Sequence, residues 1–213
     1  MKVAILTSPN QWFVEYAEKL NKDIKDSVLF LNHEDMKETY DVVFILSYHR
    51  IIKEEYLKKN KHNIVIHASD LPKGKGWAPM FWQILEGKNE IPFSMFEASK
   101  GVDDGDIYIQ KTLNLTGYEL NDKLREKQAN FIIDMSKEFL SEYDKYKYPI
   151  KQSGSETFYN KRSSKDSELD INKTINEQFN LLRIVDNENY PAFFYKDDKK
   201  YIIKIEEAKN EDR

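Results

Sequence analysis

The sequence contains no cysteine among its 213 residues. This absence excludes disulfide bonds, thiolate nucleophiles and zinc sites built from cysteine. Long apolar runs are also absent, so the sequence predicts no membrane-spanning helix. The short apolar run at the N-terminus lacks the small-residue cleavage site of a signal peptide. We therefore expect a cytoplasmic protein.

Two motifs that would assign a function are missing as well. No GxGxxG follows the first predicted strand, which removes the main support for a dinucleotide-binding fold. No GxSxG is present, so a hydrolase of the Ser-His-Asp type lacks its nucleophile turn. The 33 Lys and Arg residues are interleaved with 37 Asp and Glu residues, for a net charge of −4. This balance argues against nonspecific binding to nucleic acid.

The sequence does contain a regular succession of apolar strands and amphipathic helices. Fully apolar short runs are typical of parallel strands that are buried on both faces. The predicted strands are residues 2–7, 27–31, 42–46, 63–67, 91–98 and 107–112. Helices are expected after the turn at residues 8–11 and at residues 53–59, 77–85 and 119–143. The fold class is therefore α/β, a mostly parallel sheet flanked by helices.

The composition changes near residue 145. Residues 144–170 are rich in Lys, Tyr, Ser and Asn, which is typical of a linker or a surface excursion. After it we predict a helix at residues 173–185, strands at 192–195 and 201–205 joined by 197–200, and a frayed end at 209–213. We therefore divide the chain into an N-terminal catalytic domain, residues 1–145, and a small C-terminal α+β subdomain, residues 146–213. The latter is too small to be stable alone and is expected to pack on the former.

The stretch from residue 63 to residue 79 organises the rest of the prediction. A strand of branched residues ends at His67, and a Gly-rich loop and a helix start follow it. In open α/β sheets, ligands bind at the carboxyl ends of the strands. A histidine at this edge can carry a proton near neutral pH. The alternative interpretation is a structural histidine beside a loop.

Two further polar clusters follow predicted strands. Residues 101–106, GVDDGD, crowd three aspartates into one turn, which favours proton transfer by raising a carboxylate pKa. An ordinary hairpin turn is the alternative, and a metal site is weakly supported because the ligands do not alternate along the loop. Residues 47–52, SYHRII, combine a polar rim with branched residues. That segment is either a pocket wall for a flat heterocycle or a plain connection.

Taken together, these clusters resemble the folate-dependent N-formyltransferases, a family that includes methionyl-tRNA formyltransferase. Residues 67–72, HASDLP, resemble the family's His-Pro-Ser-Leu-Leu-Pro, and residues 103–105 match its Asp-x-Gly. Residues 49–52 resemble the loop whose backbone reads the pterin ring of folate. Residues 157–170 and 179–191 resemble the C-terminal module of the tRNA and sugar enzymes. The wording of HASDLPKGKGWAP is most similar to the sugar N-formyltransferase of pseudaminic-acid biosynthesis.

The resemblance implies a Rossmann-like formyltransferase fold and acyl transfer from 10-formyltetrahydrofolate to an amine, without a metal. It implies that His67 stabilises the charge that develops on the formyl oxygen or accepts the amine proton, and that Asp103 orients His67. The residues implied for the donor are Arg50, Ile51, Ile52, Val102 and Asp103.

The chain departs from the family pattern at one position. Where the family has Asn two residues before the histidine, this sequence has Val65. Asn63 lies on the same strand face as His67, but four residues of extended strand separate them by about 13 Å. The group that holds the developing negative charge is therefore left open between protonated His67, a backbone amide and a water.

The acceptor is predicted from the residues around this motif. Lys73 and Lys75 would meet a diphosphate, and Trp77 would stack on a base or sugar. Ser8 and Asn10, in the first strand-to-helix turn, are further candidate phosphate contacts. The C-terminal module is short and not basic, which favours a nucleotide-linked amino sugar over tRNA. The pseudaminic-acid resemblance implies a UDP-linked 4-amino-4,6-dideoxy sugar.

Two alternatives stay open at this point. One keeps the fold and the donor but makes the acceptor an aminoacyl group on tRNA or on a carrier protein. The other, motivated by Val65, is a folate- or nucleotide-binding module without catalysis. We expect a monomer or a homodimer.

Overall fold

A computed structural model describes residues 1–208 of the chain. Six of the strands in these residues form one central sheet. Its order is β2-β1-β3-β4-β6-β7. Strands β1 to β4 are parallel, whereas β6 and β7 run antiparallel to their neighbours. In chain order the strands are β1 (Val3–Leu6), β2 (Val28–Phe30), β3 (Val42–Ile45), β4 (His62–His67), β5 (Lys75–Gly76), β6 (Glu90–Glu97), β7 (Ile107–Asn114), β8 (Phe158–Tyr159), β9 (Ala192–Lys196) and β10 (Lys199–Ile203). The predicted α/β class and mostly parallel sheet are confirmed.

The helices lie where the amphipathic pattern predicts them through residue 146. They are α1 (Val14–Asp23), α2 (Glu54–Leu57), α3 (Pro79–Leu85), α4 (Asn121–Ser141), α5 (Tyr143–Tyr146) and α6 (Phe179–Ile184), with 3₁₀ turns at His33–Asp35, Ser164–Ser167 and Asn176–Gln178. Every helix within residues 1–208 is too short or too polar to span a bilayer.

The two faces of the sheet are covered differently. On the first face, side chains such as Phe44 and Ile64 form the main core with α1, α3 and α4. On the second face, Val43, Ile45 and Val65 form a smaller cluster that is covered by α2 and loops. Because side chains alternate along a strand, His67 lies on this second face with Val65. The long helices therefore leave the carboxyl edge of this face to loops.

The C-terminal part differs from the prediction in three places. The helix expected at residues 173–185 is only Phe179–Ile184 after a 3₁₀ turn, and Thr174 Oγ1 accepts from the Glu177 backbone N–H at 3.2 Å at the start of that turn. The hairpin loop is two residues, Asp197 and Asp198, both with positive φ. The predicted linker contains β8, which pairs with β5. The predicted frayed end at 209–213 lies outside the described residues.

A buried ion pair attaches the C-terminal part to the start of α4. Arg183 is 1% exposed and lies 3.3 Å from the Glu119 carboxylate. Lys127 also contacts this carboxylate, at 2.6 Å. Although burial opposes the shift, Lys127 and the Thr116 amide lower the pKa of Glu119 to about 2. Glu119 therefore precedes α4 as an ionised anchor, which is why the helix begins later than the predicted residue 119.

Candidate active site

The structure brings His67 and Asp103 together at the carboxyl end of β4. Their side chains lie 3.6 Å apart, from Nε2 to Oδ2, and are 12% and 16% exposed. Nε2 also lies 2.9 Å from the Gly74 carbonyl oxygen. A carbonyl oxygen only accepts hydrogen bonds, so Nε2 carries the proton in the neutral ring. Nδ1 has no hydrogen-bond partner within residues 1–208 and is the nitrogen that can accept a proton.

The loop that carries Asp103 is fixed by hydrogen bonds. The Gly76 backbone N–H donates to Asp103 Oδ2 at 2.9 Å. Gln152 Nε2 donates to the carbonyl oxygens of Asp103 and Gly105, at 2.7 and 2.8 Å. A Cβ at Gly105 would lie 1.5 Å from the Glu97 carbonyl oxygen, so only glycine fits there. The carboxylate of Asp103 is therefore aimed at His67 by its surroundings.

Lys75 is not available to a diphosphate, which corrects the prediction made from the sequence. It is 1% exposed, and its Nζ contacts Asp104 and, at 2.7 Å, Glu156 Oε1. The predicted crowding of aspartates also does not arise as expected, because Asp104 turns to Lys75 while Asp103 turns to His67. Lys75 therefore binds the 101–106 loop to the segment before β8. Lys73 is exposed and remains a candidate contact.

The paired strands β5 and β8 close one side of the site. Lys75 N–H donates to the Thr157 carbonyl oxygen at 2.9 Å, and Trp77 N–H to the Tyr159 carbonyl oxygen at 3.1 Å. A Cβ on Gly76 would lie 2.5 Å from that same Tyr159 oxygen, so the two chains touch without a side chain between them. Trp77 itself is 44% exposed.

The first strand-to-helix turn has a structural partner. Ser8 is buried, and its Oγ accepts a hydrogen bond from the His49 backbone N–H at 2.8 Å. The Ser8 hydroxyl therefore joins two loops, and its contact with a phosphate stays a prediction. Asn10 is exposed, with a positive φ of 54°.

The residues predicted for the donor lie in two exposed loops. Ile51 is 92% exposed and Val102 is 63% exposed. Arg50 turns its guanidinium to Asn32 Oδ1 at 2.7 Å, so its side chain faces the 3₁₀ turn. Ile52 is half-buried against the second face of the sheet. Within residues 1–208, no backbone-to-backbone hydrogen bond involves residues 50–52, which leaves their polar groups free for a ligand, whereas residues 102–103 form a hydrogen-bonded turn.

The missing amide of the family pattern is not replaced by Asn63. Val65 is half-buried in the apolar cluster of the second face. Asn63 Nδ2 donates to the Leu57 carbonyl oxygen at 2.9 Å, and Asn63 Oδ1 accepts from Asn60 Nδ2 at 3.0 Å. Asn63 therefore belongs to the fold, not to the site.

Sequence reasoning missed the contribution of residues 152–162. Gln152, Glu156 and Thr157 all contact the loops around His67 and Asp103. They lie in a polar stretch without periodicity, which hides their role. The available signal is the β-prone triplet of residues 157–159 inside that stretch.

Comparisons with known proteins place the chain in a family. A family model described as formyl transferase matches residues 3–135. The chain is 32% identical over 139 residues to the methionyl-tRNA formyltransferase of Malacoplasma penetrans (strain HF-2), which covers 64% of this chain and 43% of that protein. The chain spans about half the length of the curated relatives it matches.

Solved structures share the fold at low sequence identity. A sugar N-formyltransferase from Shewanella sp. FDAARGOS_354 superposes with a TM-score of 0.69 at 19% identity, over 98% of this chain and 100% of that chain. HypX from Aquifex aeolicus in complex with tetrahydrofolic acid superposes with a TM-score of 0.77 at 16% identity, over 96% of this chain and 37% of that chain. The family predicted from the motifs is confirmed, and the chain belongs to the formyl transferase family.

Proposed function

We propose that this chain is an N-formyltransferase that moves the formyl group of 10-formyltetrahydrofolate to the amine of a nucleotide-linked sugar. The observation that supports this most is the contact between His67 and Asp103, 3.6 Å apart at the carboxyl edge of the sheet. Family membership supports the reaction class. The acceptor and the roles of individual residues are proposals that rest on the chemistry below.

His67 acts as the general base in this proposal. When bound, the donor supplies the formyl carbon that the acceptor amine attacks. Nδ1 of His67 takes the amine proton, since Nε2 is committed to the Gly74 carbonyl oxygen. The carboxylate of Asp103 and that carbonyl oxygen then stabilise the imidazolium. The imidazolium returns the proton to the N10 nitrogen of the donor as the bond from N10 to the formyl carbon breaks, so that tetrahydrofolate leaves and His67 is neutral again. Because both side chains are largely buried, solvent screens this interaction weakly.

The donor fits the two exposed loops. A pterin ring presents donors and acceptors along its edge and two flat apolar faces. The unpaired backbone groups of residues 50–52 suit the edge, and the apolar side chains of Ile51 and Val102 suit the faces. We place the pterin at these loops, with Asp103 beside it. That the reaction needs no metal stays a prediction.

The acceptor proposal rests on the surface beside Trp77. The ring of Trp77 is partly exposed and Lys73 is exposed, which suits a base or sugar joined to phosphate. The fold is also shared with a chain named as a sugar N-formyltransferase. Among nucleotide-linked amino sugars, the sequence of residues 67–79 favours a UDP-linked 4-amino-4,6-dideoxy sugar of pseudaminic-acid-type glycans.

A second acceptor has its own support. The 32% identity is to a methionyl-tRNA formyltransferase, so an aminoacyl group on tRNA is the alternative acceptor. Because tRNA is a polyanion, that reaction should weaken steeply with added salt.

One assay separates these acceptors. The chain is supplied with 10-formyltetrahydrofolate and, in parallel, with UDP- and dTDP-linked 4-amino sugars or methionyl-tRNA. Release of tetrahydrofolate and a product heavier by one formyl group are measured. We expect both signals with an amino sugar. If product forms only with methionyl-tRNA, the acceptor is tRNA and not an amino sugar. If no amine gives product, the proposed function is contradicted.

The division of the chain at residue 146 stays a prediction, as do the cytoplasmic location and the monomeric or homodimeric state. We propose that residues 152–159 act with the N-terminal domain, because Gln152 holds the loop that presents Asp103 and Thr157 holds the loop after His67.

A further inference from the structure

Lys161 lies beside Trp77, its charge and that of Arg125 both act on His49, and the charge of Arg162 acts on Arg125. We call these three cationic side chains, Arg125, Lys161 and Arg162, the basic cluster. Lys161 Nζ lies 5.0 Å from the centre of the Trp77 ring, and the His49 ring lies 6.1 Å from it. Burial and the charges of Lys161 and Arg125 lower the pKa of His49. The positive charges of two segments of the chain, α4 and the residues after β8, therefore act on one small region.

Arg125 is held in place by aromatic rings, and it forms no salt bridge within residues 1–208. Its guanidinium carbon lies 4.4 Å from the ring centres of both Trp12 and Phe81. Its hydrogen bond is to the Gln128 amide oxygen, at 3.3 Å. Burial, opposed by Asp186 and reinforced by the Arg162 charge, lowers the pKa of Arg125 to about 10. Stacking on aromatic rings orients a planar guanidinium while its edge keeps donors for a ligand.

Arg162 carries an unused donor. Its Nε is buried and has no hydrogen-bond partner, and its Nη2 donates to the Asp166 backbone oxygen at 3.0 Å. The nearby carboxylates are engaged elsewhere: Asp166 accepts from the Ser163 hydroxyl at 3.0 Å, and Asp186 accepts from backbone amides. Within residues 1–208, no member of the basic cluster forms a salt bridge. The cluster therefore keeps N–H donors that no carboxylate within residues 1–208 occupies.

The basic cluster borders the candidate active site. Trp77 directly follows Gly76, whose backbone N–H donates to Asp103. Lys161 and Arg162 follow β8, which pairs with β5 immediately before Trp77. A ligand bound to the cluster would therefore extend toward His67 and Asp103.

We propose that the basic cluster is the subsite for the diphosphate of a nucleoside-diphosphate acceptor, with the exposed ring of Trp77 as the surface for its base or sugar. This inference rests on the proposed function, because it names how the same site holds its acceptor. Arginine forks and a lysine suit the two charges of a diphosphate. The compact cluster, in a chain of net charge −4, suits one small anion better than a polyanion such as RNA.

Binding without the donor tests this subsite apart from catalysis. Isothermal titration calorimetry compares UDP and dTDP with uridine, on the whole chain and on Lys161→Met, Arg162→Met and Arg162→Lys. Lys165→Met is the matched control, because Lys165 is an exposed lysine of the same segment without a side-chain partner among the described residues. Thermal melting confirms that each variant is folded.

We expect the chain to bind a nucleoside diphosphate at least about 10-fold more tightly than uridine, since each charge-assisted contact contributes about that factor. Lys161→Met and Arg162→Met should each weaken diphosphate binding by about 10-fold, while Arg162→Lys should restore part of it. Lys165→Met should bind as the unchanged chain does.

Two results would overturn the subsite. One is equal affinity for diphosphate and uridine, and the other is a loss in Lys165→Met as large as in the cluster variants. Binding of methionyl-tRNA by a chain that does not bind UDP or dTDP would also contradict it. Diphosphate binding with the expected variant losses but without formyl transfer would support the subsite and reject the proposed function. Formyl transfer to an amine at a rate that the cluster variants do not change would reject the subsite alone.

Discussion

Strand β4 carries a histidine at each end, and the two have different surroundings. His62 is 8% exposed, and its ring nitrogens lie 2.9 Å from the Tyr108 hydroxyl and 2.8 Å from the Tyr143 hydroxyl. Tyr108 in turn donates to Glu97 at 2.5 Å. His67 has one nitrogen on the Gly74 oxygen and the other without a protein partner among the described residues. Both ring nitrogens of His62 therefore have hydrogen-bond partners, whereas His67 has a partner on one nitrogen and keeps the other available for a ligand.

The comparison shows how position along a strand decides the role of a residue. The two histidines are five residues apart, so they lie on opposite faces of the sheet. His62 faces the long helices and contacts Phe139 of the main core. His67 faces the loops of the carboxyl edge, where ligands bind in open α/β sheets. The same side chain therefore serves the fold at one end and, in our proposal, the reaction at the other.

The largest effect on activity is expected at His67, the end of β4 that faces the loops. His67→Ala should lower kcat by about 1,000-fold, since it removes the general base. Its free energy of unfolding should fall by only about 1–2 kcal/mol, because the change removes one largely buried side chain and its hydrogen bond to the Gly74 carbonyl oxygen. Steady-state kinetics and urea denaturation check the two halves of this prediction. If His67→Ala keeps its turnover, His67 is not the general base and the proposed difference between His67 and His62 is wrong.

At His62, the enclosed end of β4, we expect a loss of stability and little loss of activity. His62→Ala should lower the free energy of unfolding by about 2–4 kcal/mol, because it removes the partner of the half-buried Tyr143 hydroxyl and one of the two partners of the Tyr108 hydroxyl, and it opens a cavity. Its kcat, measured below the melting transition, should stay within about twofold of the unchanged chain. A kcat loss similar to that of His67→Ala would show that the network reaches the reaction.

A smaller effect is expected between the two histidines. Val65→Asn would restore the family's amide on the face that carries His67. A donor aimed at the developing negative charge should raise kcat by about 10-fold, while an amide in the apolar cluster should destabilise the fold by about 1 kcal/mol. Parallel kinetics and melting on this variant and on Val65→Thr check both changes. No gain in kcat would mean that another group already holds that charge.

The smallest effect concerns pH. Burial and the Lys61 charge lower the pKa of His62 below 6.5. The unfolded chain then binds more protons than the folded chain just below that pH, so stability should decrease as pH falls from about 7 to about 5. Urea denaturation across this range should show a weaker dependence in His62→Gln. An unchanged slope would show that His62 does not contribute to it.

Periodicity predicted the sheet, its parallel part and the position of His67 at its edge. The buried runs that follow a period of two or 3.6 residues carry that information on their own. The roles of Lys75 and Gln152 were not predictable in this way, because each depends on contacts between segments far apart in sequence. Burial of Lys75 is decided by two acids 29 and 81 residues away, which no local pattern encodes.

The two ends of β4 also differ in how they could be recognised. His67 was identified by the loop that follows it and by its resemblance to a known motif. Nothing local separates His62 from an exposed histidine, since its partners come from β7 and α5. The basic cluster was missed for the same reason, because α4 and the segment after β8 meet only in the folded chain.

A double-mutant cycle on kcat/KM for formyl transfer tests most directly whether His67 and Asp103 act as a pair. The variants are His67→Ala, Asp103→Asn and both together, and they are assayed with the acceptor that the comparison of amino sugars with methionyl-tRNA identifies. If Asp103 works through His67, the double variant should lose no more than His67→Ala alone. Losses that multiply would show that the two side chains act independently, and would contradict the account.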